Sequence, residues 1–324
     1  MDGMASNPVA TIVIAAYCAE KTILRALQSA SLQTAPVEIV VVDDCSTDGT
    51  YAIAQDYSQT DPRVRVYQQA HNTGPAGARN LAIKNSTAPW IAVLDADDFM
   101  APDRIAQLVQ QAEADNLDLL ADDIYRVTDA DLNATNKRLW SQIDIGQTTV
   151  TFAQFVDGNR RNRNGQRGEL GFVKPLMRRA FFDANDLAYD PDLRLAEDYL
   201  LYAKALAAGA RFRLVDPLGY FAVYRDDSLS SQHSTKDLGA IVKADLALAL
   251  HPALTPKDRA VLRQHCLDTR KEWAWRRLID AVHDKDLRTM ASLCAEPPRV
   301  VLSLVGKLVE QVWLRGAARL RRAG

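Results

Sequence analysis

Three carboxylates stand within four positions at the end of an apolar run, WIAVLDADDF, residues 90–99. Like charges this close repel, so Asp95, Asp97 and Asp98 call for a cation. Mg2+ and Mn2+ prefer oxygen donors and are often held by one or two carboxylates plus phosphate oxygens. Such an ion binds a substrate's phosphates or activates a water. A strand alternates its faces, so Asp95 and Asp97 point together while it persists, and Asp98 can turn elsewhere. The same acids also read as caps and loop carboxylates ahead of a helix near 102.

A second site is VVVDDCSTDGT, residues 40–50. An ionised Asp44 at a strand end can accept a hydrogen bond from a nucleobase N–H or a ribose hydroxyl. Ser46 and Asp48 read as caps of the following helix. In GPAGARNLAI, residues 74–83, glycines let backbone approach a ligand. Arg79 there supplies a cationic fork suited to phosphate or a base carbonyl, or simply an exposed charge on an amphipathic helix. Glu197-Asp198 opens YLLYAKAL, where acidic residues favour the first helical turn. Neither G-x-G-x-x-G after the first strand nor a G-x-x-x-x-G-K-[ST] loop occurs, which argues against NAD binding and P-loop chemistry.

These residues need a scaffold that brings strand ends together. Short apolar runs predict strands at Val9–Ala15, Glu38–Val42, Val64–Gln68, Trp90–Leu94 and Leu117–Ala121. Helical spacing predicts helices at Glu20–Leu32, Tyr51–Tyr57, Ala76–Lys84 and from Pro102 to about Ala114. The alternation implies an α/β fold with a mostly parallel sheet flanked by helices, and ligands at the carboxyl ends of the strands. Residues 126–170 are less regular, and the basic Arg160–Gly168 stretch reads as a solvated loop. From about 238 the pattern is helical to the end.

The chain has 324 residues, 48% hydrophobic and 25% charged, with net charge −2, so a general nucleic-acid binder is excluded. Its four cysteines form no C-x-x-C pair and read as free thiols. The MDGMASNPVA start lacks a leader's basic and apolar regions, and no apolar run approaches a membrane span, so a cytoplasmic protein is expected. In RVVLSLVGKLVEQVWLRGAARLRR, residues 299–322, Val301, Leu304, Val305, Leu308 and Val312 share a helical face and arginines crowd the end. That pattern suits an anionic membrane surface, the protein core or a second subunit of a homodimer.

TIVIAAY, EIVVVDDCSTDGT, GPAGARN and WIAVLDADDF, in this order, resemble the inverting family 2 glycosyltransferases of GT-A fold. The resemblance covers about the first 125 residues and resumes at RLAEDYLLYAKALAAGARF and VYRDDSLSS. GELGFVKPLMRRAFF is similar to the bacterial exopolysaccharide branch, including succinoglycan-type transferases. The resemblance implies a GT-A domain over 1–237, with a nucleotide-sugar half to about 125 and an acceptor half after it. A helical C-terminal extension then covers 238–324.

It also implies roles. Ala15 and Tyr17 lie beside base and ribose, Asp44 contacts the base, and Arg79 stands near the nucleotide. Asp95 and Ala96 belong to the ribose-contacting D-x-D, with Asp97 or Asp98 as metal ligand. Asp198 is the catalytic base, supported by Glu197. Arg225 and His233 reach phosphate or metal. Cys18 stands where many relatives carry asparagine. The implied reaction moves a hexose from a nucleoside-diphosphate sugar, such as UDP-glucose, to a hydroxyl of a lipid-linked oligosaccharide, using Mg2+ or Mn2+. Alternatives are polyprenyl-phosphate sugar synthesis, in which phosphate attacks, and a non-catalytic nucleotide-sugar binder.

Overall fold

The computed structural model describes residues 7–160, 170–224 and 234–323; in the last helix, the side chains of Val312 and of residues beyond 314 are not described. Strand and helix alternate through β1 (Ala10–Ala16), α1 (Ile23–Ser31), β2 (Val37–Asp43), α2 (Thr50–Ser58), β3 (Val64–Gln68), α3 (Gly74–Lys84) and β4 (Trp90–Val93). There follow β5 (Phe99–Met100), α4 (Arg104–Ala114), β6 (Leu119–Val127), β7 (Gln147–Thr149) and α5 (Phe152–Gly158). After a 3-10 turn at Leu170–Phe172 come β8 (Leu176–Arg178), α6 (Arg179–Ala184), α7 (Glu197–Ala207) and β9 (Phe212–Val223). The chain closes with α8 (Thr235–Leu248), α9 (Pro256–His283), α10 (Leu287–Leu293) and α11 (Pro298–Ala323).

The nine strands form one sheet in the order β3-β2-β1-β4-β8-β6-β9-β5, with β7 also beside β9. β1 to β4 pair in parallel. β8 enters antiparallel between β4 and β6, while β6 and β9 run parallel. The unbroken apolar runs of β1 and β2 follow from burial on both faces. Val13, Val40 and Val42 face a core shared with α3, α5 and α7, whereas Ile12, Ile14, Ile39 and Val41 face one built with α1 and α4.

The turn chemistry differs from expectation in two places. α4 starts at Arg104, so Pro102 lies before the helix rather than in its first turn, and the Asp103 carboxylate is drawn to the Thr34 hydroxyl. Ser46 accepts the Cys18 N–H instead of capping α2, and Asp48 accepts both the Thr50 and Glu20 N–H groups. These bonds tie the loop after β1 to the loop after β2. In β9, Gly219 sits at φ 110°, where an added Cβ would fall 2.4 Å from the Ala101 Cβ, so only glycine lets this strand pass β5.

Ile241, Leu248, Leu254 and Leu262 belong to the same core as α7, so α8 and the start of α9 pack directly on the sheet domain. Capping boxes at Ser234/Asp237 and Thr255/Asp258 begin these two helices. α11 rests on a smaller core of Ala274, Leu293, Val300 and Leu304, against which Trp273 and Trp275 also pack. The apolar face expected on α11 is divided: Leu304 is buried with Val300, whereas Leu302, Val305, Val309 and Trp313 are exposed. At 100° per residue those four lie opposite the packed side. No described helix is long and apolar enough to cross a membrane.

Candidate active site

The carboxyl ends of β1, β2 and β4 open into a cavity of about 1500 Å³, whose wall includes Ala15, Tyr17, Asp44, Arg79, Ala96 and Asp97. The sheet turns sharply there: Cys18 and Cys45, just past β1 and β2, adopt left-handed φ of 49° and 61°. Tyr17 is exposed on the rim. Asp44 is buried and heavily used. Its Oδ1 accepts from the Thr73 N–H at 2.8 Å, the Gln69 amide at 3.0 Å and the Thr73 hydroxyl at 3.3 Å, and its Oδ2 from the Gly74 N–H at 2.8 Å. A carboxylate offers about four acceptor sites. In this geometry Asp44 fixes the start of α3, and with it Arg79.

The three acids after β4 go three ways. The strand ends at Val93, and residues 95–98 turn, with the Asp98 N–H bonded to the Asp95 carbonyl at 3.1 Å. The alternation that would aim Asp95 and Asp97 together therefore does not reach them. Asp95 Oδ1 meets Arg79 Nη2 at 2.8 Å, and Oδ2 meets Lys174 Nζ at 2.9 Å. Burial alone would raise the Asp95 carboxyl, but the charges of Lys174 and Arg79 hold it well below the usual range. Asp98 is buried, accepting from the Tyr220 hydroxyl and the Val223 N–H, each at 2.9 Å. Burial first, then the charges of Asp95 and Asp97, push its carboxyl well up. Asp97 is half-buried on the cavity wall, and its carbonyl accepts from Arg25 Nη2 at 2.6 Å.

Among the described residues no group of three or more His, Cys, Asp or Glu is arranged to hold a metal ion. The expected aspartate trio is thus not a cage. Asp97 on the cavity wall fits the other mode, a hard cation shared with phosphate oxygens. His233 and Arg225 lie outside the described residues.

Glu197 and Asp198 open α7, as their types suggest. The residue before them, Ala196, is left-handed at φ 63°, an uncommon state for a residue with a Cβ. This turn aims both acids inward, where both are buried. Arg79 Nη1 reaches Glu197 Oε1 at 2.7 Å and Asp198 Oδ1 at 3.2 Å. Lys174 Nζ reaches Asp198 Oδ2 at 2.7 Å, and the Tyr202 hydroxyl donates to Asp198 at 3.4 Å. Burial raises the Glu197 carboxyl, with Arg79 opposing and Asp198 adding to the rise. Tyr189 stacks on Arg79 at 5.3 Å.

Sequence reasoning assigned no role to Lys174, which joins Asp95 to Asp198. A single lysine inside GFVKPL was the available signal, since an unpaired lysine in an apolar run is costly to bury. Behind it, fully buried Arg104 bonds Asp122 at 2.7 Å and the Lys174 carbonyl at 2.7 Å. That pair holds the lysine's backbone in place.

Residues 11–184 match the sequence model of Glycosyl transferase family 2. The succinoglycan biosynthesis protein ExoU of Rhizobium meliloti (strain 1021) is 38% identical over 298 residues, covering 92% of this chain and 86% of ExoU. The chain belongs to glycosyl transferase family 2. A second family relative, the succinoglycan biosynthesis protein ExoO of the same organism, is 36% identical over 76% of this chain and 70% of its own. Among solved structures, S. aureus TarS 1–349 in complex with UDP-GlcNAc superposes with a TM-score of 0.64 at 19% identity, covering 88% of this chain and 90% of that one. That similarity establishes the GT-A arrangement of the sheet.

Proposed function

We propose that the protein is an inverting glycosyltransferase. It moves a hexose from a UDP-sugar to a hydroxyl of a lipid-linked oligosaccharide in exopolysaccharide assembly, at the cytoplasmic face of the membrane. The observation that carries this reading is the shared grip of Arg79 and Lys174 on Asp95 and Asp198. It sets a cationic pair and an acid together on a cavity at the nucleotide edge of a GT-A sheet. The names of ExoU and ExoO support the pathway, and the UDP-GlcNAc complex of TarS supports the donor class.

In the reaction the acceptor hydroxyl attacks the anomeric carbon as the bond to the diphosphate breaks, and the hydroxyl proton passes to Asp198. One displacement inverts the centre. Arg79 and Lys174 are positioned to favour negative charge gathering on the diphosphate. Tyr17 and Ala15 border the base end, and Asp44 shapes it through α3. Asp97 would hold Mg2+ or Mn2+ together with the diphosphate, and the ion would supply further neutralisation of the leaving group. The outward stripe of Leu302, Val305, Val309 and Trp313, followed by Arg315, Arg319, Arg321 and Arg322, suits an anionic lipid surface.

The test is thermal unfolding with UDP, UDP-glucose, UDP-GlcNAc and GDP-mannose, each with and without Mn2+. Binding to the folded state at a hundred times Kd adds about 2.7 kcal/mol, so a UDP-sugar with Mn2+ raises Tm by several degrees. No shift with any of these nucleotides contradicts the reading.

A further inference from the structure

The cavity extends past Asp198 to a wall made by α9, which contributes His265, Asp268 and Thr269. Residues three and four apart share a helical face, so these three form one polar stripe. His265 is buried, and its Nδ1 lies 2.7 Å from Asp245 Oδ2 on α8. The Tyr199 hydroxyl donates to the other oxygen, Asp245 Oδ1, at 3.0 Å, and the Tyr199 and His265 rings stack at 4.7 Å. Tyr199 is the residue after Asp198, so the same first turn of α7 carries the proposed base and the support of this histidine. Asp245 and the Tyr199 hydroxyl engage Nδ1, which leaves the opposite nitrogen, Nε2, as the one a ligand in this cavity would meet.

A buried carboxylate–imidazole–hydroxyl cluster is expensive to assemble, and an apolar core here would cost less. What the cluster achieves is orientation: Asp245 sets the imidazole tautomer and aims one acceptor nitrogen. Asp268 is likewise held, accepting from Arg160 at 3.0 and 3.1 Å and from Gln264 at 3.0 Å. Leu238 and Ile241 of α8 also line the cavity, as does Phe172, which is 42% exposed. Apolar walls with a few oriented polar groups are what a saccharide with hydroxyl edges and C–H faces requires.

We propose that this face of α9 is a subsite for the acceptor saccharide, with His265 as a positioning residue that accepts a hydrogen bond from an acceptor hydroxyl. The proposal rests on the glycosyltransferase reading and deepens it, placing acceptor recognition on a helix beyond residue 237.

The experiment measures binding of cellotriose, laminaritriose and gentiotriose to the full chain with saturating UDP and Mg2+, and of UDP alone. UDP binding by the unaltered protein reports on the glycosyltransferase reading by itself. At least one trisaccharide binds the unaltered protein. His265→Ala weakens that binding by about tenfold, and His265→Gln, which keeps an acceptor, retains most of it. UDP affinity stays within about twofold in both, because the α9 stripe is apart from the nucleotide edge. Should His265→Ala not fold, Thr269→Val on the half-buried surface of the stripe lowers trisaccharide affinity by about fivefold. The proposal is overturned if none of the three sugars binds the unaltered protein. It is also overturned if the variants bind them undiminished, or if UDP and trisaccharide affinity fall together.

Discussion

Lys174 Nζ lies 2.7 Å from Asp198 Oδ2, joining the segment before β8 to the first turn of α7. The same ammonium is 2.9 Å from Asp95 Oδ2, so one buried lysine ties the acid after β4 to the acid assigned to proton transfer. Burial would lower its proton affinity, but the charges of Asp198 and Asp95 outweigh that and raise it. Arg79 makes the parallel link from α3. The two cations face three acids, Asp95, Glu197 and Asp198, and a diphosphate would compete with these acids for the cations.

Replacing Lys174 with Met removes one partner from this cluster and leaves three carboxylates, Asp95, Glu197 and Asp198, sharing Arg79. Truncating a buried pair this way costs about 3–5 kcal/mol. Urea unfolding should show a loss in that range, and kcat/KM should fall by about a hundredfold or more. In Lys174→Met/Asp198→Asn the stability loss should be smaller than the sum of the single losses, because the second change removes the stranded charge. Additive losses would show that Lys174 and Asp198 do not interact as described.

Much of this was readable in the residues. The runs VATIVIA and EIVVV are apolar without alternation because helices cover both faces of the sheet, and that pattern has few other solutions. Glu197-Asp198 announced the start of α7 because acids suit a helix N-terminus. What escaped depends on contacts between distant segments. β8 is three residues long and takes its place only from pairing with β4 and β6. Asp44 looked like a free acceptor until Thr73 and Gly74, about thirty positions on, were brought to it by the packing of α3. Lys174 was visible as an oddity in an apolar run, but its two acids come from β4 and α7. On α11 the apolar residues cover more than one side, and periodicity could not say which side is packed.

Ala196 turns the chain into α7 at φ 63° and ψ 22°. A left-handed residue with a Cβ costs about 1–2 kcal/mol, and glycine returns about 0.4–1 kcal/mol of that through the unfolded chain. Ala196→Gly should therefore raise stability by up to about 1.5 kcal/mol in urea unfolding. A loss of stability would contradict the strain assigned to this turn.

Away from the site, Asp61 accepts from Arg63 Nε at 2.9 Å and Nη2 at 2.7 Å, with the Arg63 N–H at 3.0 Å. These bonds, against some burial, hold its carboxyl down to about 2, below the usual 3.8. A lowered acid stabilises the fold fully above its unfolded value and loses that contribution as pH falls toward its folded value. Stability should thus drop between pH 4 and 2, and Asp61→Asn should flatten the drop. At pH 7 the variant should be less stable by under about 1 kcal/mol, because Arg63 faces solvent. An unchanged acid slope would show that Asp61 does not carry it.

The exposed stripe on α11 leads to a lipid measurement. The full chain should sediment with vesicles of phosphatidylglycerol and phosphatidylcholine, less so in high salt, and deletion of 299–324 should abolish this. Equal sedimentation of both forms would remove the membrane role from α11.

The central claim is that Asp198 takes the acceptor's proton. Transfer of labelled hexose from a UDP-sugar to the lipid-linked fraction of bacterial membranes, by the unaltered chain and by Asp198→Asn, tests it most directly. The account predicts a loss of about a hundred- to ten-thousandfold in kcat, with UDP binding retained. A rate close to that of the unaltered chain would contradict it and point to an acceptor, such as a polyprenyl phosphate, that needs no base.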